Sequence, residues 1–256
     1  MERTLAERSG AVIAFIFVII INFLSNYLPL NGMTPKDVSD KYPSLFTPES
    51  FTFSIWGVIY LGLLGYVIYQ ALPGQRRSEL LSRVSKLFML SCAANIAWIF
   101  AWHFNFLWLS LLIMFAILGF LVLIYRNLSY EPATFGRWLF VNVPFSLYVA
   151  WIVVASIANL SVLQVAMGWE NYGLDNLSWT LLKLALAGVV TAVVVTRRSD
   201  IAFGLVTAWA AYGIMVKQVA TPEVSGAAGM LAAMVIILVA YQGIRAVMFS
   251  PVPPTE

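Results

Sequence analysis

Apolar residues run almost unbroken for about twenty positions at a time along this chain, eight times over, between short polar or Pro/Gly-bearing stretches. The runs fall at roughly 10–28, 51–72, 87–104, 106–125, 138–160, 179–196, 201–217 and 227–249. Each predicts a helix that crosses a bilayer at about 1.5 Å per residue, the seventh being the shortest. The breaks are Pro29 to Pro48, Pro73-Gly74 with Arg76 and Arg77, Glu131-Pro132, Trp169 to Ser178, Arg197-Arg198-Ser199-Asp200 and Thr221-Pro222-Glu223. So few residues separate the third and fourth runs, around His103 to Phe106, that they must form a close antiparallel hairpin. Pro144 falls inside the fifth run and predicts a broken helix there. A membrane barrel would instead show alternating segments of about ten residues. The expected fold class is an all-α integral membrane protein of about eight transmembrane helices.

Composition agrees. Of the 256 residues, 61% are hydrophobic and 11% charged, whereas a soluble domain carries about 25% charged residues. A lone cysteine, Cys92, excludes an internal disulfide and a cysteine metal cluster, and a lone histidine, His103, excludes a His-pair site. No metal site is expected, and no basic run is long enough to suggest a nucleic-acid partner. The cations orient the chain. With the amino terminus inside, Arg3, Arg8, Arg76, Arg77, Arg83, Lys86, Arg126, Arg137, Arg197, Arg198 and Arg245 are cytoplasmic, and only Lys36, Lys41 and Lys217 lie in outer loops. Both termini are then cytoplasmic in a multi-pass protein of the plasma (inner) membrane. Arg3 and Arg8 before an apolar run also fit a signal peptide, but no small-x-small cleavage pattern follows, so an uncleaved first helix is expected.

Three runs carry aromatic stripes at helical spacing: Phe53, Trp56 and Tyr60; Asn95, Trp98 and Trp102; and Tyr148, Trp151, Ala155 and Asn159. An amide turned to lipid would lack partners, at a cost of roughly 1–3 kcal/mol or more, so these faces look at protein or ligand. Trp108, Trp138, Trp169 and Trp179 lie at span ends and suit the interfacial belt. Trp98 and Trp151 lie inside their helices, where indoles serve either helix packing or the wall of a cavity for a flat, apolar ligand.

The first five spans resemble the TspO/MBR family, the translocator or tryptophan-rich sensory proteins. The family's fifth-helix pattern Tyr-x-Ala-Trp-x-x-x-Ala-x-x-x-Asn reads here Tyr148, Ala150, Trp151, Ala155, Asn159. Its third-helix Asn-x-x-Trp reads Asn95 to Trp98, and Phe51, Phe53, Trp56 and Tyr60 follow its second-helix arrangement. The resemblance covers about residues 10–160. The Trp and Pro residues that usually begin the family's second helix are missing; Phe51, Ser54 and Ile55 stand in that neighbourhood. Trp102-His103 replaces its usual pair of phenylalanines, and its typical five helices are followed here by about three more. The resemblance therefore implies a TspO-like five-helix ligand-binding bundle over 1–160 and three additional transmembrane helices over 161–256.

It also implies a function: a membrane sensor or carrier that takes a planar hydrophobic ligand, such as a porphyrin or sterol-like molecule, in an aromatic-lined pocket. The ligand-binding residues are then Phe53, Trp56, Tyr60, Asn95, Trp98, Trp102, Tyr148, Trp151, Ala155 and Asn159, with no catalytic residue. The cofactor-like molecule implied is a tetrapyrrole of porphyrin or heme type, and Trp56 and Trp151 would serve any light-dependent porphyrin breakdown. The partners expected are the lipid bilayer, the small hydrophobic ligand and a second copy in a homodimer. The alternative is a secondary transporter of a small hydrophobic or amphipathic substrate, although no internal repeat is seen and Lys183 is the one charge expected inside the membrane. Lys183 is expected to snorkel to the outer interface, or else to face a cavity and pair with an anionic ligand, Glu170 or Asp175. His103 is expected to be solvated in its hairpin, and Asn22 and Asn26 to hydrogen-bond between helices. Gly188 with Ala192, and Gly229 with Ala233, suit internal packing or a dimer seam.

Overall fold

The computed structural model describes residues 2–28, 30–128, 133–169 and 173–248, among which no strand occurs. The break at Glu131-Pro132 and the residue Glu170 lie outside the described residues. Helix α1 spans Leu5–Tyr27, started by Thr4, whose hydroxyl accepts the Glu7 amide. A short surface helix, α2 (Pro35–Lys41), opens on a Thr34/Asp37 capping box. A 3₁₀ turn, Ser50–Ser54, leads into α3 (Ile55–Ala71). Then come α4 (Glu79–His103), α5 (Leu107–Leu128), α6 (Phe135–Arg137) and α7 (Val143–Ala166). Last are α8 (Asn176–Arg198), α9 (Ile201–Lys217) and α10 (Pro222–Met248). Seven of these segments are long and apolar enough to cross a membrane, and α9, at 17 residues, is the shorter apolar helix. The protein is an all-α, multi-pass integral membrane protein.

Two boundaries differ instructively from the hydropathy. Helix α4 begins well before residue 87 because Ser78 caps it, its hydroxyl accepting the Leu81 amide. Arg83 and Lys86 therefore ride on a helical turn and not in a loop. The fifth span starts at Phe135 and is interrupted by a π turn, Trp138–Asn142, just before Pro144. Proline lacks the N–H that would bond the carbonyl four residues back, and the ladder widens to a π turn to accommodate it. Across the gap, Pro144 presses on Gly62, where a Cβ would lie 3.2 Å from the proline Cβ, so α3 and α7 cross closely.

Helices α4 and α5 form the expected tight hairpin, with Asn105 in the left-handed region at φ 58°. Helix α5 packs on α7, and α1 covers α4 and α3. The last three helices form a second group, α9 and α10 back to back with α8 across both, joined to the first group chiefly through α7 and α9. Gly188 abuts Leu231 and Gly229 abuts Met215, so these small residues serve contacts inside the protein.

Between the two groups lies a stretch that hydropathy left as loop. Phe46, 1% exposed, sits among Val154 of α7, Leu184 and Ala187 of α8, Thr207 and Ile214 of α9 and Leu231 of α10. The α9 residues around it run from Ile214 to Thr207, about 4–15 Å in from the Lys217 end at 1.5 Å per residue, so Phe46 reaches into the bundle below the end of α9. Ser44, Thr47, Pro48 and Thr52 are buried with it. The chain thus dips into the bundle and climbs into α3; we call Ser44–Thr52 the plug.

His103 is fully buried, not solvated: its Nδ1 lies 2.7 Å from the Ile99 carbonyl oxygen, and Asn31 Nδ2 donates to the His103 carbonyl oxygen at 3.1 Å. The segment after α1 folds back over the hairpin and covers it. Arg3 is likewise buried, donating to the Gln70 carbonyl, Gln70 Oε1 and Ser85 Oγ at 2.9, 2.6 and 2.7 Å.

Candidate functional site

Trp151 of α7, 2% exposed, is the centre of the aromatic cluster. Phe53 meets its ring edge-on at 6.0 Å and 87°, and Trp56 at 6.2 Å and 82°. Trp56 also stacks on Tyr60 at 5.3 Å and 24° and touches Tyr148 at 6.0 Å. Edge-to-face and offset-stacked rings at these separations suit the aromatic quadrupole. Five predicted residues, from the turn before α3, from α3 and from α7, therefore meet around one point. Phe53 remains 37% exposed and Trp56 half-buried, so the cluster has an inner wall, Tyr148 and Trp151, and an outer, movable one.

The amides stand beside this cluster. Asn95 of α4 is buried, accepts the Asn22 amide on Oδ1 at 2.8 Å and lies beside the Tyr148 hydroxyl. Asn22 is thus an interhelical hydrogen-bonding group that fixes the orientation of Asn95. Asn159, one helical face up from half-buried Ala155, accepts the Ser110 hydroxyl on Oδ1 at 3.2 Å. Its Nδ2 is buried with no partner, as are Trp98 Nε1, Trp151 Nε1 and the Tyr60 hydroxyl. Such atoms cost about 1–3 kcal/mol each when unsatisfied.

Trp98 and Trp102 stack on one another at 5.7 Å and 22°, forming a second aromatic pair without ring contact to the first. Trp102 has a holding role: its Nε1 donates to the Pro35 carbonyl at 3.1 Å and pins α2 to the end of α4. A salt bridge from Lys217 to Asp40 at 3.5 Å ties the same short helix to the end of α9.

Residues of α9, outside the predicted site, also reach it. Trp209 donates through Nε1 to the Thr52 carbonyl at 3.0 Å, and Phe51 packs on Trp209 and Tyr212 at 5.3 and 5.8 Å. Trp209 and Tyr212 have the same three-residue spacing as the stripes singled out elsewhere. Gly213 completes this wall, for a Cβ there would collide with Thr52 Oγ1. Lys183 is 8% exposed, its stem packed on the stripe of α8 with Thr180, Leu184, Ala187 and Thr191. Asp175 is occupied in capping α8, accepting the Ser178 amide at 2.7 Å.

Fold and site together define a multi-pass helical membrane protein with an aromatic, amide-bearing interior beneath a re-entrant loop. The model of the TSPO-like protein family matches residues 8–241, and the chain belongs to that family. The match continues past the first five spans through α8 and α9 into α10. No curated protein and no solved structure matches the chain.

Proposed function

We propose that the protein is a membrane sensor or carrier that binds a planar hydrophobic ligand, porphyrin-like or sterol-like, against the Trp151 cluster. One observation carries this reading: Tyr60, Trp98, Trp151 and Asn159 each hold a buried polar atom that lacks a partner, and all four belong to the aromatic stripes of α3, α4 and α7. A ligand with acceptor groups would satisfy them, while the indole and phenol faces would stack on its ring. Phe53, exposed, and Trp56, half-buried, would swing aside to admit it. On the cation distribution, the amino-terminal side faces the cytoplasm and the plug lies on the outer side.

The transporter reading has one observation in its favour. Non-helical backbone at membrane depth occurs where it is buried in protein or lines a path, and the plug is such a segment.

The test is titration of detergent-solubilised protein with protoporphyrin, followed by its visible absorbance. Trp151→Phe and Asn159→Ala each remove one unpartnered donor while Asn95→Ala removes a held amide. A hydrogen bond to a charged acceptor contributes about 1.5–3 kcal/mol, so the first two should bind about ten- to hundredfold more weakly. Superimposable titrations for wild type, Trp151→Phe, Asn159→Ala and Asn95→Ala would overturn the proposal.

A further inference from the structure

Asp200 precedes α9 at the end of the bundle that carries Arg126, Arg197 and Arg198. Ser199 before it lies in the left-handed region at φ 51°, so the chain turns sharply out of α8. Oδ1 of Asp200 accepts the Phe203 amide at 3.0 Å, an ordinary capping bond. The same carboxylate also takes hydrogens from the other helix group. The Ser146 hydroxyl of α7 is shared between both oxygens at 2.7 Å, and the Tyr125 hydroxyl of α5 donates to Oδ2. Among the described residues no cation forms an ion pair with Asp200. Arg198 instead lies over the Tyr125 ring at 4.6 Å and donates to the Tyr125 carbonyl at 3.3 Å.

These bonds bridge the two helix groups beside a bend point. Helix α5 packs on α4 and α7, and Tyr125 ties it to the turn between α8 and α9. The entry to α7 is irregular, a π turn followed by Pro144, and a helix bends most readily at such a place. Phe140 of the π turn is fixed to α3: it stacks on Tyr69 at 6.0 Å and 23° and lies against Gly65. Just past the proline, Ser146 is fixed to the second group by Asp200. Asp200 is half-buried, so water at this boundary competes for its donors, whereas the Arg3 network is buried and shielded from that exchange.

We propose that Asp200 is a conformational latch that closes the seam between the two helix groups at the basic end of the bundle. When its bonds to Tyr125 and Ser146 give way to water, α7 pivots at its π turn and the seam opens there. The plug closes the opposite end through Phe46 and the α9 backbone, so each closure can release without the other. The latch acts whatever the Trp151 cluster binds, and its test stands apart from the ligand titrations.

Val149, 2% exposed, lies one turn along from Ser146 on the same side of α7. Val149→Cys therefore sets a thiol just behind the latch, and its alkylation by N-ethylmaleimide in nanodiscs reads how often the seam opens. Tyr125→Phe with Ser146→Ala removes the latch and leaves Asp200 to cap α9. The net worth of one hydrogen bond is about tenfold in such an equilibrium, so this thiol should react at least about tenfold faster without the latch. Tyr125→Phe alone, which deletes a single oxygen, should give part of that acceleration. Native Cys92, buried in α4, should stay slow throughout. Equal rates at position 149 with and without the latch overturn the proposal. So does a Cys92 rate that rises in step, because the whole bundle has then loosened and not one seam.

Discussion

Phe46→Ala is the sharpest perturbation this fold offers. Phe46 lies in a segment without regular structure, yet is 1% exposed and surrounded by four helices. Truncating a phenyl ring in a packed interior costs about 3–5 kcal/mol, part of it for lost transfer energy and part for the cavity left behind. The void already beside Phe46 is only about 10 Å³, so the site begins well filled and has little slack to collapse into. A residue in a loop lying on the surface would instead change stability by less than about 0.5 kcal/mol. The two accounts of the plug thus differ by at least about 2.5 kcal/mol, which unfolding in a detergent–denaturant series resolves by intrinsic fluorescence. Phe46→Leu, which keeps most of the apolar volume, should fall between wild type and Phe46→Ala. An unchanged midpoint for Phe46→Ala would refute the buried placement of the plug.

Two further outcomes follow from the same geometry. Gly213→Ala should destabilise by about 1–3 kcal/mol, because the added methyl meets Thr52 and the Pro48 ring. Gly119→Ala, on an open helix face, should be neutral or slightly stabilising in the same assay, and equal effects at both would refute the close approach. The third outcome concerns pH. Hydrogen bonds from the Thr34 backbone and hydroxyl hold the Asp37 carboxyl below its usual range, and the bond from Lys36, then the charge of Lys217, does so for Asp40. Both carboxylates therefore favour the docked α2 at neutral pH, and their contribution is lost as pH falls through values below about 4, the ordinary carboxylate range. Trp102 fluorescence, reporting the Pro35 contact, should stay flat from about pH 7 to 5 and change only in more acidic solution; a transition above pH 5 would contradict the assignment.

The helices and their order were legible because twenty-residue apolar runs leave little choice of structure in a bilayer. So was the core of the aromatic cluster: Trp56, Tyr60, Tyr148 and Trp151 share faces at helical spacing and meet as that spacing requires. What stayed hidden depends on chain segments far apart in sequence. His103 looked exposed because hairpins usually are, and only residues 30–42 folding back make it buried. The burial of the Lys183 stem was hidden too, because its stripe, Thr180 to Thr191, mixes polar and small side chains. Phe46 had no period at all, standing in Ser-Leu-Phe-Thr-Pro between a surface helix and a 3₁₀ turn. Trp209 and Tyr212 did carry the familiar three-residue spacing, so their part in the wall was legible in the sequence.

The plug also gives the last three helices a role that their own composition does not reveal. A non-helical segment inside a membrane must satisfy its backbone from within the protein. Here Pro48 has no N–H to satisfy, Phe46 donates its amide to Ser44 Oγ at 3.1 Å, and Thr47 donates to the Ser44 carbonyl at 3.1 Å. The Ser50 amide goes to Glu49 Oε1 at 2.8 Å and the Thr52 amide to the Glu49 carbonyl at 3.0 Å. Two groups go further afield: the Glu49 amide donates to the Gly213 carbonyl at 3.0 Å, and the Thr52 carbonyl accepts Trp209 Nε1 at 3.0 Å. Both distant partners are on α9. Without that helix the Glu49 amide would lose its partner, at a cost of about 1–3 kcal/mol, the Thr52 carbonyl would keep only the Ile55 amide, and Phe46 would lose several of the side chains around it. The Thr52 anchor lies one residue before Phe53 and four before Trp56, the two rings that form the outer wall of the Trp151 cluster. By seating the plug, α9 fixes the start of α3 and with it that wall, so residues far outside the aromatic stripes determine how firmly the cluster is closed.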